Sequence, residues 1–356
     1  MRHDYRMNMD ETASGGSAGS SVLRGRFLHN EPMQKHVSWR AGGVAQRVYI
    51  PADLEDLSWL LRSIPQYEAV HVVGLGSNLL VRDGGVQCVV VLLHGVLKKV
   101  AVESRLQGLP QRAGNSALVY AQAGVAAPKL ARYCANQNLV GGEFWAGIPG
   151  TVGGALAMNA GCYGHETWEK VAQVLTINRR GELNDRLPEA YNIGYRHVAL
   201  KPVVGHALTY RLPLPSPLPL AGEGANVALG APRTIDEWFI GAWFQLSHGD
   251  GLASRATIKA LLQQRIASQP LNRPNAGSVF RNPPGDHAAR LIESCGLKGY
   301  CIGGAQVSEK HANFIINLGN ASATDIERLI EHVENTVEAR TNVRLLREVR
   351  IIGERI

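Results

Sequence analysis

Three short loops in the first half of the chain could hold a phosphate-bearing ligand with little but backbone. Gly74-Leu75-Gly76-Ser77-Asn78-Leu79 follows the apolar run Val70-His71-Val72-Val73. Two glycines let backbone N–H groups close on a phosphate, and Ser77 and Asn78 add donors. The third glycine of a dinucleotide fingerprint is missing, and a plain tight turn accounts for the same residues. Gly147-Ile148-Pro149-Gly150-Thr151-Val152-Gly153-Gly154-Ala155 is followed by Met158-Asn159-Ala160-Gly161. Such a run can lie flat against an extended ligand, or serve as a glycine-rich turn between strands. No Gly-Lys dipeptide occurs anywhere, so a Walker A loop is excluded. Ser38-Trp39-Arg40-Ala41-Gly42-Gly43 is the third small-residue turn. Together the three suit a large, extended cofactor between two lobes.

Three later segments offer side-chain chemistry. Ser278 follows a glycine in Pro274-Asn275-Ala276-Gly277-Ser278-Val279-Phe280-Arg281-Asn282-Pro283. This is not a nucleophile elbow, because Ser278 is not set in Gly-x-Ser-x-Gly: its neighbours read Ala276-Gly277-Ser278-Val279-Phe280. A serine held in a rigid segment can give or accept a proton, or merely satisfy a turn, and Asn282 can bind a polar group. Tyr195-Arg196 stands near an expected strand end, and an arginine is suited to capturing a carboxylate with two parallel bonds. In Leu346-Arg347-Glu348-Val349-Arg350-Ile351-Ile352 the alternation sends Glu348, Arg350 and Ile352 one way and Arg347, Val349 and Ile351 the other. A solvated strand face is the default reading of Glu348.

The elements that must position these residues are legible in outline. A βαβ unit opens the ordered chain: a strand at Val48-Tyr49-Ile50, a helix capped by Asp53 with Leu54, Leu57, Leu60 and Leu61 on one face, and a buried strand at Val70–Val73. Further strands are expected at Cys88 to Leu93, Ala117 to Gln122, Trp238 to Leu246 and Leu345 to Ile352. Helices are expected near Ala127 to Gln137, near Ala256 to Ala267 with Ile258, Leu261, Leu262 and Ile266 in register, near His287 to Cys295, and from Thr324-Asp325 onward. Residues 1–23 read as a flexible tail, and the proline ladder within Val203 to Arg233 as an inserted surface loop.

Composition narrows the class. The 356 residues are 45% hydrophobic and 19% charged, an ordinary globular balance. A net charge of +7 fits anionic ligands as well as nucleic acid, but no aromatic-rich recognition motif appears. No apolar stretch is long enough for a membrane span. The five cysteines are scattered, with no CxxC, and HExxH is absent, so neither a metal site nor a disulfide framework is expected and a reducing cytoplasm is the natural setting.

In order along the chain, SWRAGG, VVGLGSNLLV, GIPGTVGGALAMNAG, YR, PNAGSVFRNP, LKGYCIGGAQVSEKHANFIIN and LREVRIIG resemble the motifs of the UDP-N-acetylenolpyruvoylglucosamine reductase family. The match runs from about Arg24 to Gly353. It implies an α+β to α/β fold: a two-lobed FAD-binding part of the vanillyl-alcohol-oxidase (PCMH) type and a C-terminal α/β substrate-binding domain. Lobe 1 would span 24–95, joined by a C-terminal strand within 343–356. Lobe 2 would span 96–265, with the insertion at 203–233, and the substrate domain 266–342.

The resemblance also implies chemistry: non-covalent FAD, NADPH as reductant, and UDP-N-acetylenolpyruvoylglucosamine as the substrate reduced to UDP-N-acetylmuramate. FAD would lie along Arg40, Gly42 and Gly43, along Gly74, Leu75, Gly76, Ser77, Asn78 and Leu79, and along Ile148, Pro149, Gly150, Thr151, Gly153, Gly154, Asn159, Ala160 and Gly161. Arg196 and Glu348 would stabilise the enolate-like intermediate and Ser278 would protonate it. Glu348 helps only when protonated or through water, so a raised pKa is expected in the substrate-bound site. Tyr195, Arg265, Arg281, Asn282 and Lys310 are candidates for holding substrate. One branch of the family closes the site with a tyrosine-bearing loop. No tyrosine lies between Phe244 and Ser278, so this chain resembles the other branch. A cytoplasmic monomer binding neither nucleic acid nor membrane is expected. An FAD-linked oxidase of the same superfold, using oxygen, is the alternative, and a basic nucleotide- or RNA-binding protein the non-enzymatic one.

Overall fold

The computed structural model describes residues 23–103, 115–202 and 237–356. The expected tail up to residue 22 and the 203–233 insertion lie outside the described residues.

The first part holds β1 (Arg26–Pro32), β2 (Val44–Ile50), α1 (Leu54–Ser63), β3 (Val70–Val73), β4 (Leu79–Val81) and β5 (Val86–Leu92). Its sheet has the order β1-β2-β5-β3, with β2, β5 and β3 parallel and β1 antiparallel at the edge. The unbroken apolar run in β5 is explained by burial on both faces. Val89 and Val91 pack with Leu57, Leu60 and Leu61 of α1, whereas Val90 and Leu92 pack with Met33, Val48 and Val81. Asp53 caps α1 by accepting from Asp56 N, which fixes where the helix begins.

The second part holds β6 (Val100–Glu103), β7 (Ser116–Gln122), α2 (Ala127–Asn136), β8 (Leu139–Val140), α3 (Val152–Ala157), β9 (Gly161–Cys162), β10 (His165–Glu166), β11 (Val171–Asn178), β12 (Leu183–Arg186), β13 (Tyr191–Gly194), β14 (His197–Leu200), β15 (Glu237–His248) and α4 (Gly251–Ser268). Its antiparallel sheet runs β12-β11-β15-β7-β6, and β8 also pairs with β15. The third part holds α5 (Ala288–Ser294), β16 (Cys301–Ile302), β17 (Ala305–Val307), β18 (Ile315–Asn317) and α6 (Ala323–Thr341), with the order β16-β17-β18. The final strand, β19 (Arg350–Ile352), pairs in parallel with β4, far back in the chain.

Four elements depart from the expectations. α4 begins at Gly251, more than a turn before Ala256, because Asp250 accepts from Leu252 N and Ala253 N and satisfies the first amides. Its apolar register is narrower than expected: Ile258 is buried but Ile266 is exposed, since only one flank packs on α2 and the Glu143–Gly147 turn. α6 begins at Ala323, capped by Ser322 in a reciprocal box with Asp325. The expected strand at Leu345–Ile352 shrinks to its last three residues. Before them, Phe280 pairs with Arg347, and Glu348 N and Val349 N both donate to Val279 O. Within the glycine-rich run, Val152–Ala157 is a short helix rather than extended chain.

The third part is tied to the first by specific bonds. Buried Trp39 donates to Ile315 O and its own carbonyl accepts from Asn317 Nδ2. Asp83 accepts from Ala323 N, Thr324 N and Thr324 Oγ1 at the start of α6. Arg82 pairs with Glu327 through two bonds of 2.9 Å. Trp39, Ala41 and Leu80 also belong to the apolar core built around α5 and α6.

Candidate active site

A cleft opens where the three parts meet. It encloses about 1490 Å³ of non-protein space out to its mouth. Its walls include Gly74 to Leu79, Gly147 to Thr151, Gly154, Ala160, Gly161, Arg196, Arg265, Ser278 and Glu348.

The glycine loops form one side. A side chain at Gly74 would collide with Thr151 Oγ1, so the backbone of the first part's loop packs directly on a side chain of the second part's. Gly76 has φ 59°, and a Cβ there would collide with His36 O. The backbone amides of Gly74 to Asn78 donate to no described residue. Ser38 Oγ, whose backbone N donates to Gly76 O, is buried without a partner. Unpaired donors on a loop whose two glycines leave the backbone bare suit a diphosphate, so these residues fit a dinucleotide such as FAD.

The reacting side chains come from three elements. Ser278 sits after Gly277, whose φ of 75° and bond to Asn275 Oδ1 make a tight turn. Buried Asn313 then locks the segment: its carbonyl accepts from Val279 N, its Oδ1 accepts from Phe280 N, and its Nδ2 donates to Phe280 O. The bond from Glu348 N to Val279 O brings Glu348 beside the serine segment. Asn78 Nδ2 donates to Glu348 O, and Arg350 N donates to Asn78 O, which joins the glycine loop to the same backbone. Arg196 occupies the two-residue turn between β13 and β14 with φ 53°. Its Nε stands 2.8 Å from Glu348 Oε1, a close ion pair whose N–H is not aligned as a hydrogen bond.

Electrostatics follow from burial. Glu348 is largely dehydrated, and burial pushes its carboxyl above the usual 4.5, with Arg196 and Arg281 pulling it partly back. Burial likewise pushes the Arg265 guanidinium down. Its Nε donates to Gln269 Oε1, which holds it at the cleft with no carboxylate partner among the described residues.

Several expected site residues stand elsewhere. Arg40 is exposed in an adjoining depression that it shares with Ser38, Ser77, Pro149 and Arg265. Gly42 and Gly43 do not line the cleft; they press on Val81 O and on the carbonyls of Arg82 and Asp83. Gly153 lies in α3 against Ala123. Asn159 is buried and fully engaged by protein partners. Tyr195 is half-exposed beside Arg196, with the guanidinium carbon 5.6 Å from its ring centre. Arg281 lies behind the cleft and donates to Arg196 O at 3.3 Å. Asn282 accepts from Ala288 N at the start of α5. Lys310 donates to Ile266 O in the last turn of α4, outside the cleft. Asn313 and Gln269 escaped the sequence reading. Asn313 lies inside the HANFIIN motif, but nothing in its residue type announces three bonds to the serine segment.

Comparison with known proteins decides the lineage. A UDP-N-acetylenolpyruvoylglucosamine reductase from Thiobacillus denitrificans is 66% identical over all of both chains. This chain belongs to the UDP-N-acetylenolpyruvoylglucosamine reductase family. A reductase of the same name from Nitrosospira multiformis is 52% identical, covering 97% of this chain and 94% of its own. Residues 45–185 match the domain family described as an FAD binding domain, and 269–352 match the C-terminal domain of UDP-N-acetylenolpyruvoylglucosamine reductase. Among solved structures, the Thermus caldophilus reductase superposes with a TM-score of 0.68 at 26% identity, covering 93% of this chain and 99% of that one. The fold is thus the mixed α/β arrangement of this reductase family, an FAD-binding part followed by a C-terminal domain.

Proposed function

We infer that this chain is the flavoenzyme that reduces the enolpyruvyl group of UDP-N-acetylenolpyruvoylglucosamine to give UDP-N-acetylmuramate for peptidoglycan. The observation that carries this reading is the meeting of a cation, a dehydrated carboxyl and a serine hydroxyl on a cleft floored by unpaired glycine-loop amides. Held along Gly74 to Asn78 and Gly147 to Thr151, FAD reduced by NADPH would supply hydride for the methylene carbon.

The protein does the rest. Addition of a hydride puts negative charge on the pyruvyl carboxylate. Arg196 neutralises it as it grows, in a site where little water competes. Glu348 in its neutral form donates a hydrogen bond to the same group, whereas a bare carboxylate would repel it. The Ser278 hydroxyl delivers its proton to the carbon beside the carboxylate, which completes the addition of one hydride and one proton across the double bond. Arg265, half-buried and without an acid beside it among the described residues, takes the substrate diphosphate. Tyr195, Asn282 and Lys310 stand outside the cleft and have no part in this step.

The residue ranges 24–95, 96–265 and 266–342 remain our division into two flavin lobes and a substrate domain, with 343–356 returning to the first. No helix among the described residues is long and apolar enough to cross a membrane. We place the activity in the cytoplasm, in a monomer, where it serves cell shape and division through wall synthesis.

A visible spectrum tests the reading. Purified protein should be yellow, bleach with NADPH under anaerobic conditions, and recover its flavin bands when the enolpyruvyl nucleotide is added. Rapid peroxide formation without NADPH would instead make it an oxygen-using oxidase, and colourless protein that retains RNA would overturn both.

A further inference from the structure

Asn159 was expected on the cofactor, but every polar atom of its side chain is engaged elsewhere. The residue is 1% exposed. Nδ2 donates to Glu166 Oε2 at 2.6 Å and to Gly194 O at 3.2 Å, and Oδ1 accepts from Trp168 N at 3.1 Å. Two donors and an acceptor are thereby used, which leaves nothing for a ligand except the second lone pair of Oδ1. Gly194 is the residue at which β13 enters the two-residue turn, and it pairs with His197 where β14 leaves it. Between them Arg196 takes the left-handed conformation, which costs an arginine energy and persists only where neighbours enforce it. On the far side of the turn, Arg196 O is held by Arg281.

We propose that Asn159 is a positioning residue that fixes the Gly194 end of this turn and so aims Arg196 at the reacting group. The proposal rests on Arg196 serving the reduction of the enolpyruvyl group. Glu166 orients the amide: by accepting one N–H of Nδ2 it directs the other at Gly194 O. Trp168 N, by donating to Oδ1, fixes which end of the amide is which. The turn therefore hangs from the buried wall of the second part through Asn159 and from the serine segment of the third part through Arg281.

The test separates the two half-reactions of the FAD-loaded enzyme. The proposed reaction assigns Arg196 to reoxidation by the enolpyruvyl nucleotide and gives it no part in bleaching by NADPH. Asn159→Ala should retain flavin and bleach at the parent rate within about twofold, while reoxidation slows by about tenfold or more. Asn159→Asp keeps the acceptor for Trp168 N but sets a carboxylate against Glu166 and Gly194 O; it should show the same split and serves if the alanine variant does not fold. In an Arg196→Lys background either change should add less than about twofold, since residues acting through one group are not additive. Equal slowing of both half-reactions, or losses that multiply with Arg196→Lys, would overturn the assignment. Unchanged reoxidation in Arg196→Lys alone would instead overturn the role of Arg196, a separate failure that this variant detects by itself.

Discussion

At the scale of single residues, the reaction calls for one weak acid and one switchable acid. Ser278→Ala should slow reoxidation by the enolpyruvyl nucleotide by more than about tenfold, about 1.4 kcal/mol of barrier, while bleaching by NADPH stays intact; stopped-flow absorbance separates the two. Glu348 gives a pH signature. Burial raises its folded-state value above 4.5, so between the unfolded and folded values the folded protein binds more protons than the unfolded chain. Stability should therefore fall as pH rises through that window, and reoxidation should decline as the carboxyl ionises above it. Glu348→Gln, neutral at every pH, should lose that decline in a pH–rate profile. The three side chains stood out only through the family resemblance; read alone, Glu348 is a strand-face residue and Ser278 a turn residue. The roles of their neighbours did not stand out. Asn159 and Asn78 sit in glycine-rich runs that read as ligand cradles, yet their amides bind protein: Asn159 bonds Gly194 O, and Asn78 bonds Glu348 O across 270 positions. Such partners exist only once the chain has folded.

At the scale of elements, helix ends decide what stands where. α1 was legible to the residue because its cap, Asp53, is local. α6 is capped locally by Ser322, but its first turn is also gripped by Asp83 from the β4–β5 connection, 240 residues earlier at Ala323. No local rule reveals that contact. Asp83→Ala removes three hydrogen bonds and an anion from a helix N-terminus, and chemical denaturation should show a loss of about 2 kcal/mol. Asp250→Ala should cost about 1 kcal/mol at the start of α4 by the same measurement. The start of α4 was missed because the apolar register, which sequence reading follows, sets in only after the cap has begun the helix.

At the scale of the whole molecule, the parts share cores and polar ties rather than a hinge. Trp39 is buried among residues of α5 and α6, and Arg82 and Arg355 both pair with Glu327. Unfolding followed by near-ultraviolet dichroism and by flavin release should give one coincident transition; two separated transitions would contradict so shared a core. Because FAD binds the folded form alone, raising it to 100 times its dissociation constant should add about 2.7 kcal/mol of stability, seen as a higher melting midpoint. The short parallel pairing of β19 with β4 carries a further consequence for how the protein is made. Synthesis proceeds from one end, yet the glycine loop is braced by residues 348 and 350. A nascent chain stalled on the ribosome before residue 350 has every glycine of its cradle and still lacks the strut that holds it, so flavin capture waits until residues 348 and 350 have been made and folded back.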